Sequence, residues 1–307
     1  MPAGQFGPKT LKAVRQEMVN MGWSRGYINR HVDRIKRMFK WAVAEEILPP
    51  HTYEGLRAVG GLRFGRSSAP ERQPVRPVPA ELVEPAKKLV SPPVAAMMEL
   101  QLLTGARPGE IVIARPMDID RSGPVWLYRP DRHKNQHHNL DRVVYIGPQA
   151  QQVLAPFLLR GPEEYCFSPT EAECKRRGQP TSKPSRRKAQ PQWVPGEHYT
   201  RDSYRVAIAR ACRKAFPLPE PLARAHGETL EQWKQRLGKA GLEQVDRWRK
   251  THHWHPHQLR HSYATYVRKE DNLEGAQILL GHSKADVTQI YAERDMEHAV
   301  RVAMKIG

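Results

Sequence analysis

The sequence predicts a mainly α-helical protein with a small antiparallel β-sheet (an α+β fold), and three observations support this. Apolar residues recur at helical spacing along most of the chain. Two short runs, at 125–128 and 143–146, are rich in β-branched and aromatic residues, as two strands of a hairpin are. A Pro-, Ser- and Arg-rich stretch at 58–80 lacks apolar periodicity, which is typical of a linker. We therefore expect a small helical domain over 1–57 and a larger domain over 81–307.

The composition indicates a nucleic-acid partner. The 307 residues carry 50 Lys and Arg against 32 Asp and Glu, a formal net charge of +18, and basic groups release counterions from a phosphate backbone. A membrane surface fits less well, because no apolar run approaches the roughly 18 residues of a membrane span and no signal peptide is recognisable. The three dispersed cysteines indicate free thiols in a reducing cytoplasm.

Residues 8–48 are expected to form two helices. The second has Ser24 as its cap and carries apolar residues from Ile28 to Val43 at a spacing of about 3.6 residues. Its opposite face is basic, and it either contacts DNA phosphates or is simply solvated. The residues expected to bind DNA on this face are Arg25, Arg30, Arg34, Arg37 and Lys40.

The larger domain is expected to contain a buried helix that starts after Ser91 and ends at Gly105. Arg107 follows, just before a short helix that Pro108 opens, and Glu110 lies three residues further on. Two interpretations of Arg107 stay open. It is either a structural partner of Glu110 or a cation held in place for a phosphate.

The turn between the two predicted strands carries Lys134. A flexible lysine at a hairpin tip can reach a phosphate or a leaving oxygen, although most such lysines are solvated loop charges. Three histidines in the same turn are a weak alternative metal site, because they lack the paired, carboxylate-framed spacing of HExxH. They are His133, His137 and His138.

A basic region follows the sheet. Residues 171–197 are poor in apolar residues, so we expect a surface loop that becomes ordered only on DNA. The wider stretch 171–255 is interpreted as an insertion of unassigned function. Within it, a helix around 204–215 buries one face and presents Arg205 and Arg213 outward, where we expect them to contact DNA.

Most of the candidate catalytic residues lie in one stretch, residues 257–291, which reads HQLRHSYATYVRKEDNLEGAQILLGHSKADVTQIY. His257 and Arg260 share a helix face because they are three residues apart, and Pro256 suits the first position of that helix. A second helix is expected to end near Gly281, just before His282, and a third to lead towards a tyrosine at 291.

This set of side chains indicates phosphoryl transfer through a tyrosyl phosphate. An arginine fork matches a phosphate bidentately, and histidine exchanges protons near neutral pH. Tyr291 can act as a covalent nucleophile when a neighbouring group assists it. Cations of the protein, rather than a metal, would then hold the charge on the phosphate.

Five separated elements occur in an order that is typical of one family: ARPGE, the hairpin lysine, HQLRHSYAT, LLGHS, and a tyrosine nine residues after that histidine. On these elements the sequence resembles the tyrosine recombinases, or phage integrase family, over roughly 80–307. The N-terminal helices are similar to the family's helical, SAM-like core-binding domain. The resemblance implies site-specific cutting and rejoining of DNA through a 3′-phosphotyrosyl intermediate, with no metal, ATP or other cofactor.

The resemblance also implies which residues hold the scissile phosphate. Arg107 and Arg260 would clamp its non-bridging oxygens, and His282 would hydrogen-bond it. Glu110 would be a supporting residue. Gln258 stands where the family often has an aspartate, a departure that we expect to leave activity intact.

Three further roles concern proton transfer and attack. His257 would accept the proton of the nucleophile, and Tyr291 would attack the phosphorus. Lys134 would be the general acid that protonates the departing 5′ oxygen.

The expected partners are double-stranded DNA and further copies of the chain, as a homotetramer on two DNA sites, in the cytoplasm and on the nucleoid. Accessory proteins stay open. Two alternatives remain within DNA binding: a type IB topoisomerase-like relaxing enzyme and a catalytically silent DNA-binding protein. A His-rich metal hydrolase is a third alternative, and it predicts inhibition by chelators.

Overall fold

The computed structural model describes residues 1–131, 142–178, 195–271 and 273–281. The chain forms two compact units, Met1–Pro74 and Val75–Gly307.

The first unit is helical. Its core joins residues from all of its helices, including Leu11, Ile28 and Leu56. The two predicted helices are confirmed, but Ser24 precedes the second without a capping hydrogen bond from its side chain. Two helices were expected in this unit, whereas a third begins at Pro50, because proline suits a first helical position. The helices are α1 (Pro8–Asn20), α2 (Arg25–Ala44) and α3 (Pro50–Arg57).

Residues 58–74 belong to the first unit rather than to the linker that was expected over 58–80. Val59 and Ala69 are buried in its core. The backbone of Leu62 exchanges two hydrogen bonds with the Asn29 side chain on α2, at 2.8 and 3.0 Å. Isolated apolar residues and backbone hydrogen bonds hold this segment, so its sequence shows no helical periodicity.

In the residues that the structure describes, the second unit combines helices with one small sheet. Its helices are α4 (Ala80–Lys87), α5 (Pro92–Thr104), α6 (Pro108–Ile111), α7 (Pro148–Leu154), α8 (Pro169–Gly178), α9 (Arg201–Ala215), α10 (Leu230–His252), α11 (Pro256–Glu270) and α12 (Leu273–Leu280). Its strands are β1 (Ile119–Asp120), β2 (Trp126–Tyr128) and β3 (Val144–Ile146).

The sheet is antiparallel, in the order β1-β2-β3. Tyr128 pairs with Val144 across the predicted hairpin and with Ile119 on the other side. The hairpin strands are therefore confirmed. The two-residue β1 was missed, because so short a strand leaves no alternation to detect.

Helix α5 lies at the centre of the second unit. It is apolar on nearly all sides, and residues such as Met97, Met98 and Leu100 are buried. Helices α11 and α7 pack against it, as does β3. Gly105 ends the helix with a φ of 63°, the left-handed conformation that its sequence predicts.

The expected insertion at 171–255 contains regular structure. The start of the loop expected over 171–197 belongs instead to α8, where Glu171 pairs with Arg160 at 2.8 Å. Residues 179–194 lie outside the described residues. Helix α10 is kinked at Gly238. In the part of the chain that the structure describes, no helix is both long and apolar enough to cross a membrane.

Candidate active site

The first turn of α11 presents two of the predicted site residues. Pro256 is its first residue, as predicted. The imidazole of His257 is partly buried, and its ring centre lies 5.5 Å from that of His261. Burial and the nearby charges of His261, Arg260 and Arg107 lower the pKa of His257 to about 4. His257 is therefore neutral at pH 7, and the lowered pKa makes it a weaker base than an ordinary histidine.

Arg260 is fully buried and bridges two distant backbone segments. Its Nη1 donates to the Gly105 carbonyl at 2.5 Å, and its Nη2 donates to the Leu280 carbonyl at 2.7 Å. The first carbonyl lies two residues before Arg107, and the second lies two residues before His282. One guanidinium thus ties together the segments that lead to two other predicted site residues.

Arg107 immediately precedes α6 and forms an ion pair with Glu110. The Arg107 backbone N–H donates to Glu110 Oε2 at 2.8 Å, and Arg107 Nη1 donates to Oε1 at 2.7 Å. The Glu110 side chain is 3% exposed, whereas that of Arg107 is 22% exposed. The ion pair of Arg107 with Glu110, which the sequence left open, therefore exists. It holds the Arg107 backbone and one guanidinium nitrogen in place, while part of the side chain is exposed to solvent.

A third arginine lies at this place, and it was not among the predicted site residues. Arg142 directs Nε and Nη2 at the two carboxylate oxygens of Glu110, both at 3.3 Å. Its Nη1 donates to the carbonyls of Val143 at 2.9 Å and Leu279 at 3.3 Å. A detectable signal was present, because strand alternation places Arg142 on the same buried face as Val144 and Ile146. An arginine is rarely buried unless its charge and its N–H groups find partners.

Glu110 is ionised between these two arginines. Burial opposes its charge, but the positive charges of Arg142 and Arg107 outweigh that effect and keep the pKa of Glu110 below its usual value of 4.5. The Tyr128 hydroxyl donates to the Glu110 main-chain carbonyl at 2.6 Å. The first turn of α6 is thus fixed to the sheet as well.

A buried polar pair holds the loop before Arg107. Gln101 donates to the Ala106 carbonyl at 2.8 Å and accepts from the Tyr204 hydroxyl at 2.9 Å. Both side chains are fully buried, so α9 and α5 together fix the approach to Arg107.

The structure brings together Arg107, His257 and Arg260, with Glu110 behind the first of them. The other three predicted catalytic residues lie outside the described residues. They are Lys134, His282 and Tyr291. Helix α12 ends at Leu280, and Gly281 follows with a φ of 62°, which agrees with the predicted helix end.

The residues expected to bind DNA fall into two groups. Those in the first unit lie on α2, where all but Arg25 are exposed. Arg25 instead pairs with Glu71 and donates to the Leu62 carbonyl at 3.3 Å, so part of its charge is neutralised within its own unit. In the second unit, Arg205 and Arg213 are exposed on α9.

Among the described residues, no group of three His, Cys, Asp or Glu side chains is placed to hold a metal ion. The histidines considered as a metal site lie outside the described residues. They are His133, His137 and His138.

Comparisons with known proteins point to one family. Residues 223–298 match the model of the phage integrase family. Tyrosine recombinase XerC from Escherichia coli O1:K1 / APEC is 47% identical over 51 residues, which are 16% of this chain and 17% of that protein. The chain thus spans only about a sixth of the length of the curated relatives that it matches.

Solved structures extend the likeness to the whole fold. The integrase of transposon Tn1549, in complex with a circular intermediate DNA, superposes with a TM-score of 0.59 at 14% identity, covering 99% of this chain and 87% of that one. A chain of the lambda integrase dimer bound to a COC′ core site superposes with a TM-score of 0.55 at 14% identity. The match covers 95% of this chain and 82% of that one. The predicted fold class and the resemblance to tyrosine recombinases are confirmed.

Proposed function

We propose that this chain, which has the tyrosine recombinase fold and carries a phage integrase family segment, is a site-specific DNA recombinase. It cuts and rejoins DNA strands through a 3′-phosphotyrosyl intermediate. One observation carries the proposal: α6 and α11 bring two arginines and a neutral histidine to one place. Arginine is suited to a phosphate, and histidine is suited to proton transfer.

The arginines act on the phosphate. Arg107 approaches a non-bridging oxygen with the exposed part of its side chain, while the ion pair with Glu110 holds the residue in place. Arg260, on α11, supplies the second positive charge. Because Arg260 is fully buried, direct contact with the phosphate requires the backbone that covers it to move. Cations aimed at a phosphorane-like transition state stabilise it more than the ground state, which is the basis of their catalytic effect.

The remaining steps move protons and form the covalent bond. Tyr291 attacks the phosphorus, His257 accepts the phenolic proton, and Lys134 protonates the departing 5′ oxygen. His282 hydrogen-bonds the phosphate. The energy of the broken phosphodiester is retained in the phosphotyrosine, so rejoining requires neither ATP nor a metal.

The assembly follows from the same proposal. One chain of the lambda integrase tetramer bound to a Holliday junction has a fold similar to this chain, with a TM-score of 0.55 and 14% identity, covering 96% of this chain and 68% of that one. Four copies of this chain would hold two DNA sites in the same manner, at the nucleoid. The basic side chains on α2 and α9 would contact the duplex backbone.

Covalent capture tests the proposal. Pooled duplexes from the DNA that flanks the gene are incubated with the protein in EDTA, and denaturant-stable protein–DNA adducts are isolated. The expected adduct maps to Tyr291 and is lost in Tyr291→Phe, which still binds DNA. Arg107→Ala or Arg260→Ala should slow adduct formation by roughly 10²-fold or more.

The same experiment separates the alternatives. Tight binding without any adduct would indicate a silent DNA-binding protein. An adduct that forms only with an added divalent metal would contradict the mechanism. Relaxation of supercoiled plasmid without strand exchange between two sites would favour a topoisomerase-like enzyme.

A further inference from the structure

The charges around Glu110 do not cancel, because two arginines contact one carboxylate. Arg107 and Glu110 alone form a neutral pair, and a neutral pair attracts a phosphate weakly. Arg142 adds one positive charge, so the group of three carries a net charge of +1. Both oxygens of Glu110 accept from Arg142 and from Arg107, so the carboxylate is shared between the two arginines.

Arg142 is placed to hold this charge rather than to touch DNA. It is 5% exposed, whereas the Arg107 side chain is 22% exposed. Its guanidinium faces Glu110 in a bidentate pair, a geometry that only arginine offers. Of the two arginines on Glu110, the buried one compensates the carboxylate and the more exposed one is left to act outward.

Arg142 also contacts the end of α12. Its Nη1 donates to the Leu279 carbonyl at 3.3 Å. A Cβ added at Gly281 would come within 2.5 Å of the same Nη1. The guanidinium therefore lies directly against the turn that precedes His282.

We propose that Arg142 is a positioning residue that neutralises Glu110, so that Arg107 keeps a full positive charge for the scissile phosphate. This inference rests on the proposed function, and it assigns to Arg142 an effect on catalysis without contact with the substrate. It predicts that the charge of residue 142, and not only its packing, determines the rate of strand cleavage.

The decisive comparison is between a variant that lacks Arg142 and a double variant that also lacks the charge of Glu110. The double variant restores the net charge of +1 without restoring the arginine. Arg142→Met leaves Glu110 to neutralise Arg107, and we expect adduct formation at least 30-fold slower, on the order of one removed transition-state charge contact. Arg142→Met combined with Glu110→Gln returns the group to +1, and we expect at least a fivefold recovery. A purely structural role predicts the opposite order, since the double variant loses more contacts. Arg142→Lys keeps the charge and is expected to stay within roughly tenfold of the unmodified protein.

Arg160 provides a matched control. It donates to two backbone carbonyls and pairs with Glu171, so Arg160→Met removes a comparable set of contacts away from α6 and α11. Thermal melts identify any variant that does not fold. If Arg142→Met fails to fold, the double variant and Arg142→Lys still decide the question, because both are expected to keep the charge and most of the rate.

A second readout does not depend on cleavage. The charge of Arg107 acts on His257, so Arg142→Met should raise the pKa of His257, followed by NMR of its Cε1 proton, and the double variant should reverse that rise. A folded Arg142→Met that cleaves at the unmodified rate would overturn the inference, as would a double variant slower than the single one. If the unmodified protein forms no adduct on any duplex, the proposed function fails, and the NMR titration alone then decides whether Arg142 sets the charge at Arg107.

Discussion

Arg260 and Leu280, twenty residues apart, are joined by a 2.7 Å hydrogen bond from a guanidinium to a main-chain carbonyl. The last carbonyls of a helix have no partner within it, and a cation suits the negative end of α12. The other terminal nitrogen of Arg260 serves the Gly105 carbonyl in the same way. A residue predicted to clamp phosphate is thus also the brace between α5 and α12.

Arg260→Lys tests the bracing role. A lysine keeps the charge, but its single ammonium on a flexible stem does not span two carbonyls in a fixed fork. One buried carbonyl then lacks a donor, which should lower the free energy of unfolding by about 1–3 kcal/mol. Urea unfolding measures the change. Arg210→Lys on the exposed face of α9 is the control and should shift it by no more than about 0.5 kcal/mol.

The helix ends and the Arg107–Glu110 pair were predictable from local signals in the sequence. Pro256 and Gly105 have strong preferences at helix ends, so the bounds of α11 and α5 follow from single residues. The pair of Arg107 and Glu110 was also visible, because both lie within one turn. These features depend on neighbours in the chain, and the sequence shows neighbours directly.

Long-range contacts were not predictable in the same way. Arg142 lies 32 residues from Glu110 and 137 from Leu279, and its partners become evident only when β3, α6 and α12 are packed together. The segment 58–74 was misassigned for the same reason. Its link to α2 through Leu62 and Asn29 spans 33 residues, and such contacts leave no periodic pattern.

Glu110→Gln should destabilise the second unit. It leaves two arginines without their counter-charge, one of them buried, and breaking a buried pair costs about 3–5 kcal/mol. Chemical unfolding at neutral pH measures the loss. Glu84→Gln, which breaks a more exposed ion pair with Lys87 in the same unit, is the control and should have little effect. An equal loss in both variants would show that Glu110 has no special role.

The same carboxyl gives the protein a specific sensitivity to acid. The pKa of Glu110 is lowered in the folded state, because the charges of Arg142 and Arg107 outweigh the effect of burial. Its contribution to stability is therefore complete above the ordinary value of 4.5 and is lost as pH falls below 4.5 towards the folded pKa. Glu110→Gln should show a flatter dependence of unfolding on pH in that range. An unchanged slope would contradict the assignment.

His257 acts in a different pH range. Its pKa is lowered from 6.5 to about 4, so the unfolded chain binds more protons than the folded one between these values. Stability from this residue should be complete above pH 6.5 and should be lost as pH falls towards 4. His257→Gln should remove that part of the slope while leaving the acid loss from Glu110. An NMR titration midpoint of His257 near 6.5 would contradict the expectation.

Gly105→Ala should disrupt the junction of α5, α11 and α12. Its φ is +63°, and a Cβ would come within 2.2 Å of Tyr263 Cδ1 and 3.0 Å of Leu280 Cδ2. The conformation alone costs about 1–2 kcal/mol, and the clash adds to it because the ring of Tyr263 is buried. Gly227 has a φ of +81°, and a Cβ added there would meet nothing within 4 Å. Gly227→Ala therefore isolates the conformational part of the loss in unfolding free energy. Equal unfolding free energies for the two variants would show that the ring moves aside freely.

The exposed basic face of α2 should carry DNA affinity without sequence preference. Arg30, Arg34 and Arg37 are exposed at intervals of four and three residues, so they form one stripe along the helix. Each phosphate contact that is lost should reduce the slope of log K against log salt by about 0.9. Arg30→Gln with Arg34→Gln should therefore weaken binding to any duplex and lower the slope by roughly 1–2. Lys9→Gln with Lys12→Gln, on the exposed part of α1, removes the same charge outside this stripe and should leave the slope unchanged. A slope that falls equally in both would mean that general charge, rather than α2, determines binding.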